Sequence, residues 1–218
     1  SMPFAVMVVH PKSRSCVDQT GGASCAQADV DRNRLKRFLQ GKYHAEQIQA
    51  FQAAHPGTPI SVVGDFNDYQ FSDGWTHMLG AMAGRYDDAA NLLDYAGNTV
   101  VTPSLWNAVE SLPQNERYSF LFTENFGQFQ GFNTRDVPTL QSLDHALLSV
   151  DARRMFAGFD YGRAANDAPG EWERQCNLVP TPAPPLCPHP AIGVSDQDGF
   201  VFVLATDRIF GDGFEPAP

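Results

Sequence analysis

The chain has 218 residues, enough for one domain with a substantial core, and its 43% hydrophobic and 18% charged residues are the proportions of a soluble globular protein. A formal net charge of −10 repels polyanions on average, so nucleic-acid contact would need a local basic patch or bound cations. No apolar run approaches the roughly 20 residues that a membrane-spanning helix needs.

The 16 prolines and 18 glycines predict a loop-rich architecture, and the 16 phenylalanines an aromatic core. Residues 4–9 predict a first strand. A polar loop with Cys16 and Cys25 follows. Residues 29–54 predict a helix, because Leu35, Phe38, Leu39, Tyr43, Ile48 and Phe51 fall near a 3.6 period with charges between them. Gly41 is a candidate break in it, and His55-Pro56-Gly57 is the stop. Residues 60–63 predict a second strand, closed by Gly64-Asp65-Phe66-Asn67. Residues 74–95 predict a largely helical stretch around Met78, Leu79, Met82, Ala89, Leu92 and Leu93. Strands are expected at 117–122, 143–149 and 199–204, with a polar loop over 124–139. A long proline-dense irregular segment over 162–190 carries Cys176 and Cys187. There are no internal repeats. Strands alternating with helices indicate a layered α/β sandwich, with one domain over 1–206 and a tail over 207–218.

The cysteines form two local pairs. Cys16–Cys25 and Cys176–Cys187 each close a short polar or proline-rich loop, which predicts disulfides in an oxidising compartment. Zinc ligands usually stand two to four residues apart, and neither pair does. Against export, Pro3–Val9 is short and has no basic region before it, so it reads as a strand rather than a signal. A preceding portion of chain would reconcile the two.

Acidic and amide side chains gather at strand ends. His10 ends the first strand, Asp65 and Asn67 follow the second, Asp144 lies in the strand over 143–149, and Asp196 precedes the last. Strand ends on one sheet edge are where α/β ligand sites form. Such oxygen ligands suit Mg²⁺, Ca²⁺ or Mn²⁺. Each residue also has a plain structural role: His10 as a strand end, Asp65 and Asn67 as an Asx turn, Asp196 as a turn cap, Tyr118 as core. His145 should face away from Asp144, because neighbours in a strand alternate.

Five segments in order, His10-Pro11-Lys12-Ser13, Gly64-Asp65-Phe66-Asn67, Arg117-Tyr118-Ser119-Phe120, Leu143-Asp144-His145 and Ser195-Asp196-Gln197-Asp198-Gly199-Phe200, resemble the endonuclease/exonuclease/phosphatase superfamily. The subgroup they resemble is the bacterial extracellular nucleases. There the first motif reads His-x-Lys-Ser before a cysteine-bracketed acidic loop, and the middle motif continues much as Asp68-Tyr69-Gln70-Phe71-Ser72-Asp73-Gly74 does here. The resemblance implies part of a DNase I-like α/β sandwich and Mg²⁺-, Ca²⁺- or Mn²⁺-dependent hydrolysis of nucleic acid or another phosphodiester. It implies that His10 polarises the scissile phosphate and Asp65 orients the attacking water. Asn67 would bind phosphate or a second metal. Asp144 would buttress the catalytic residue of the final motif, Asp196 and Asp65 would be metal ligands, and Lys12 and Tyr118 would support the phosphate pocket.

Two departures qualify this. Where the family's final motif reads Ser-Asp-His, this chain has Ser195-Asp196-Gln197. Glutamine donates a hydrogen bond but does not shuttle a proton near neutral pH, and a lost acid/base costs about 10²–10⁴ in rate. Family members also carry an amino-terminal half before the first histidine, with an Asn and a metal-binding Glu. The chain is therefore expected to be weak or inactive alone, and to form a homo-oligomer or pair with a complementing amino-terminal half. The alternatives are a non-catalytic binding or assembly module, or a phosphatase or phospholipase of the same superfamily. The ending Ile209-Phe210-Gly211-Asp212-Gly213-Phe214-Glu215 resembles a terminal tag of secreted or surface bacterial proteins. The basic stretch Arg32–Lys42 reads as a solvated helix face before it reads as a polyanion contact.

Overall fold

A computed structural model describes residues 3–17, 25–93, 100–124, 137–163 and 198–205. Their order is β1 (Ala5–Val9), α1 (Gln27–Ala54), β2 (Ile60–Asp65), α2 (Met78–Ala83), β3 (Trp106–Asn107), β4 (Phe120–Glu124), β5 (Val137–Gln141), β6 (Asp144–Leu148), α3 (Val150–Met155), β7 (Phe156–Tyr161) and β8 (Phe200–Leu204). The chain is mixed α/β, as expected. Its main sheet has the order β1-β2-β6-β3, and two-stranded sheets are formed by β4-β5 and β7-β8.

The apolar runs of β1 and β2 pair in parallel, Ala5 with Ile60 through Val9 with Gly64. Helix α1 makes the crossover that parallel strands require. Strand β6 runs antiparallel to β2, from Ser61 opposite Leu148 to Asp65 opposite Asp144. Alternation then divides the sheet into two faces. Val9, Ile60, Val62 and Leu147 pack with Ala45, Ile48, Met78 and Met82 from the two helices. On the other face, Ala146, Leu148 and Val63 pack with Ala108, Val109, Phe159 and Phe200. The β1 end of that second face is open, and Val6 and Val8 are exposed there.

Four expectations are corrected. Helix α1 is continuous through Gly41, which is buried where the helix crosses α2. A Cβ on Gly41 would stand 3.1 Å from the Met78 Cα, so this glycine permits close packing rather than a break. The buried face of α1 is Val30, Arg34, Arg37, Gly41, Ala45 and Ile48, while Leu35, Leu39 and Tyr43 of the apolar series face solvent. Among the described residues of the 74–95 stretch only Met78–Ala83 is α-helical, with a 3-10 turn at Asp88–Ala90. Gly84 ends α2 in the left-handed region, φ 72°, where a Cβ would strike the Val101 carbonyl oxygen. Within the loop expected over 124–139, Val137 begins β5, which pairs with β4.

Replacing Gly41 with leucine is expected to force α1 and α2 apart and cost about 1–3 kcal/mol. Thermal denaturation should show a lowered midpoint, and an unchanged midpoint would contradict the close approach.

Candidate active site

The alternation that divides the sheet also aligns its carboxylates. Asp65 has the parity of Ser61 and Val63, and its Cα partner in β6 is Asp144. Directly opposed residues carry Cβ atoms roughly 4.5–5.5 Å apart on one face. His10, one residue past β1, continues the same row, and its Nε2 lies 3.4 Å from Asp65 Oδ2. The row runs from solvent inward: the side chains of His10 and Asp65 are 76% and 13% exposed, and Asp144 is 8% exposed.

Gly64 makes the row possible. It has φ 135°, and a Cβ would stand 2.2 Å from the Val9 carbonyl oxygen, so only glycine lets β2 approach β1 where Asp65 begins its turn. The Asx turn expected of Asp65 and Asn67 is present. The Asn67 N–H donates to Asp65 Oδ1 at 2.6 Å and its Nδ2 to Asp65 Oδ2 at 3.0 Å. Asn67 adopts φ 50°, a conformation that asparagine tolerates. Its Nδ2 also reaches the Pro11 carbonyl at 3.2 Å, tying the His10 loop to the Asp65 loop.

Beneath both loops lies a group that apolar periodicity could not find. Arg37 is fully buried. It donates to the Lys12 and Asn67 carbonyls at 2.7 and 2.8 Å and to Asp68 Oδ1 at 2.9 Å. The other oxygen of Asp68 accepts from the Leu79 N–H at 2.8 Å. Burial pushes the Asp68 carboxyl up, against the pull of His77, Arg37 and that N–H. Arg14 bonds Asp73 at 2.7 Å and lies 4.2 Å over the Tyr69 ring. Burial works against ionisation of Asp73, but the Trp75 N–H, Arg14 and the Thr76 N–H outweigh it and hold the carboxyl low.

His145 faces away from Asp144, as alternation predicts. It is fully buried, and its Nε2–H donates to the Asp68 and Ser142 carbonyls at 3.0 and 3.1 Å. Its Nδ1 accepts from Asn107 Nδ2 at 3.1 Å. This ring pins the Asp68 loop to the sheet in the neutral form, and burial lowers its pKa to about 4.

Asp144 is set by its backbone. Its N–H donates to Ser119 Oγ at 3.0 Å, and the Tyr161 hydroxyl donates to its carbonyl. Ser119 is the third residue of the Arg117-Tyr118-Ser119 segment, and its carbonyl accepts from the Asp198 N–H at 2.7 Å. Asp198 is buried and 3.4 Å from Arg163. Arg163 also lies 3.7 Å over the Tyr118 ring and donates to the Tyr118 and Glu116 carbonyls. Tyr118 is thus held against a guanidinium. Lys12 directs Nζ to Ser13 Oγ at 2.9 Å; its pKa is lowered by partial burial and by Lys36 and Arg37.

Cys16 and Cys25 are bonded, with Cα atoms 5.9 Å apart. Cys176, Cys187, Asp196 and Gln197 lie outside the described residues. Among the described residues, no group of three or more His, Cys, Asp or Glu is placed to hold a metal ion, and no helix is long and apolar enough to cross a membrane. The chain matches no family model, no curated protein and no solved structure.

Two outcomes follow from the buried network. Arg37→Met strips Asp68 of its cation and two loops of their donor, and should cost about 3–5 kcal/mol in denaturant unfolding; a loss within that of a surface substitution would contradict the tie. For His145, the unfolded ring binds a proton near pH 6.5 and the native ring only near 4. Stability is therefore fully present above about pH 6.5 and falls by about 3 kcal/mol as pH drops through that window. His145→Gln should flatten this slope, and an unaltered slope would exclude His145 as its source.

Proposed function

We propose that this chain is a nuclease-like, metal-dependent phosphodiester hydrolase domain of DNase I-like architecture, exported from the cell and weak or inactive as its sequence stands. The observation that carries the reading is the row His10–Asp65–Asp144 across three adjacent strand ends, with Asn67 locked to Asp65. These are the residues that the motif resemblance selects independently. The bonded Cys16–Cys25 pair favours an oxidising compartment.

In this reading His10, the exposed end of the row, contacts a non-bridging phosphate oxygen. Asp65 accepts a hydrogen bond from the water that attacks phosphorus in line. One P–O bond forms as the water gives up a proton to bulk solvent, the ester P–O bond breaks, and the leaving oxygen takes a proton from solvent. The donor chemistry fits Mg²⁺, which takes one or two carboxylates and keeps several waters: Asp65 and Asp196 would supply oxygens, and Asp144 would buttress the residue of the final motif, here Gln197. When bound, such a cation neutralises phosphate charge and stabilises the leaving oxygen. Gln197 can hydrogen-bond a phosphate oxygen but cannot deliver the proton.

A second reading, a non-catalytic assembly module, is favoured by the exposed Val6 and Val8 on the same sheet face as His10. A complementing amino-terminal half would cover that face as well.

Cleavage of bis-p-nitrophenyl phosphate with Mg²⁺ or Mn²⁺ separates these readings. The expected wild-type rate is near background, rising about 10²-fold or more in Gln197→His and returning to background when Asp144→Asn is added. Robust wild-type activity would contradict the impairment. No rise in Gln197→His would favour the assembly reading or the need for a complementing half.

A further inference from the structure

Helix α1 carries apolar residues on both of its faces. Leu35, Leu39 and Tyr43 are 50%, 53% and 58% exposed, while the face that packs against the domain holds Val30, Arg34, Arg37, Gly41, Ala45 and Ile48. Together with Arg32, Lys36 and Gln40 they line a shallow, mostly apolar groove. The midline of the exposed face is Ala28, Arg32, Leu35, Leu39, Tyr43, Glu46 and Ala50, all open to solvent. Successive members are three or four residues apart, which is the spacing of a helix-pairing seam.

The order of that seam is self-complementary about Leu39. Folded back on an antiparallel copy of itself, Ala28 meets Ala50, Arg32 meets Glu46, Leu35 meets Tyr43 and Leu39 meets Leu39. Every contact is small with small, apolar with apolar, or cation with anion. Lys36 and Lys42 fall on opposite flanks of the midline, and antiparallel packing sets like flank against like flank, so the two do not meet. A two-fold contact must present one patch to itself in this way.

We propose that the exposed face of α1 is the contact between two copies of this chain, packed antiparallel with Leu39 on the two-fold axis. The contact is reversible. A 28-residue helix is about 42 Å long and roughly 10 Å across, so each copy contributes on the order of 400 Å², about half of a standard interface side. A contact of this size falls among weak, transient interfaces. This inference does not depend on the phosphodiesterase reading.

Sedimentation velocity on the full chain, over roughly 1 µM to 1 mM, tests it. Monomer should pass to dimer across that range, and Leu39→Glu, an exposed substitution that leaves the fold intact by circular dichroism, should weaken the dimer at least tenfold. Arg32→Glu and Glu46→Arg should each weaken self-association, since each sets like charges opposite one another. Their mixture should form a heterodimer, and the double variant should regain the wild-type constant. Monomer at every concentration would overturn the proposal. So would a dimer that survives Leu39→Glu but is lost in Val8→Asp, which would place the contact on the open β1 face. Equal behaviour of both charge variants and the wild type would overturn the antiparallel register.

Discussion

The buried guanidinium of Arg37 is the interaction on which the rest of the candidate site depends. Its donors reach the Lys12 carbonyl in the loop after β1, the Asn67 carbonyl in the loop after β2, and the Asp68 carboxylate. Those loops deliver His10 and Asp65. A cation with no exposed surface costs several kcal/mol to desolvate and is tolerated only when it is paired. Helix α1, both loops and Asp68 are therefore fixed as a unit. Asp68 passes the constraint to α2 through the Leu79 N–H, and its carbonyl passes it to β6 through His145. The sheet edge is held from beneath by groups that never face the row itself.

Parity does the remaining work. Strand β2 contributes Asp65 and strand β6 contributes Asp144 to one face, because their register sets the two opposite each other. The same alternation sends His145 to the opposite face, into the helix-covered core. Adjacent residues of one motif thus serve two purposes, with Asp144 at the row and His145 as a neutral strut. Ser119 joins a second pair of segments, since its hydroxyl holds the Asp144 N–H and its carbonyl holds the Asp198 N–H.

The sequence made β1, β2 and β6 legible, because each is a short, largely apolar run with turn or polar residues beside it. The length and stop of α1 were legible too. Its orientation was legible only in part. Of the apolar series, Ile48 is buried and Phe38 and Phe51 are half-buried, but Leu35, Leu39 and Tyr43 face solvent, and Arg34 and Arg37 take inner positions through acceptors contributed by residues 12, 17 and 67. Partners that distant leave no mark on local spacing. The 74–95 stretch was misjudged for a related reason. Asp73 caps the Trp75 and Thr76 N–H groups and Gly84 turns the chain left-handed, so the helix between them is only six residues long. The placement of His10, Asp65 and Asp144 at neighbouring strand ends was readable from the motifs. Arg37, Asp68, Ser119 and Arg163 were not, because their roles are visible only once the loops are in place.

The central proposal is that the His10–Asp65–Asp144 edge, with the Asx turn that Asp65 makes, is one metal-phosphate site rather than a set of unrelated side chains. A crystal soaked in Mn²⁺, examined by anomalous scattering, tests it most directly. The account predicts a manganese peak in ligand contact with Asp65 or Asp196, beside Asp144. Crystals with no peak at this edge, and with the carboxylates turned away from one another, would contradict it.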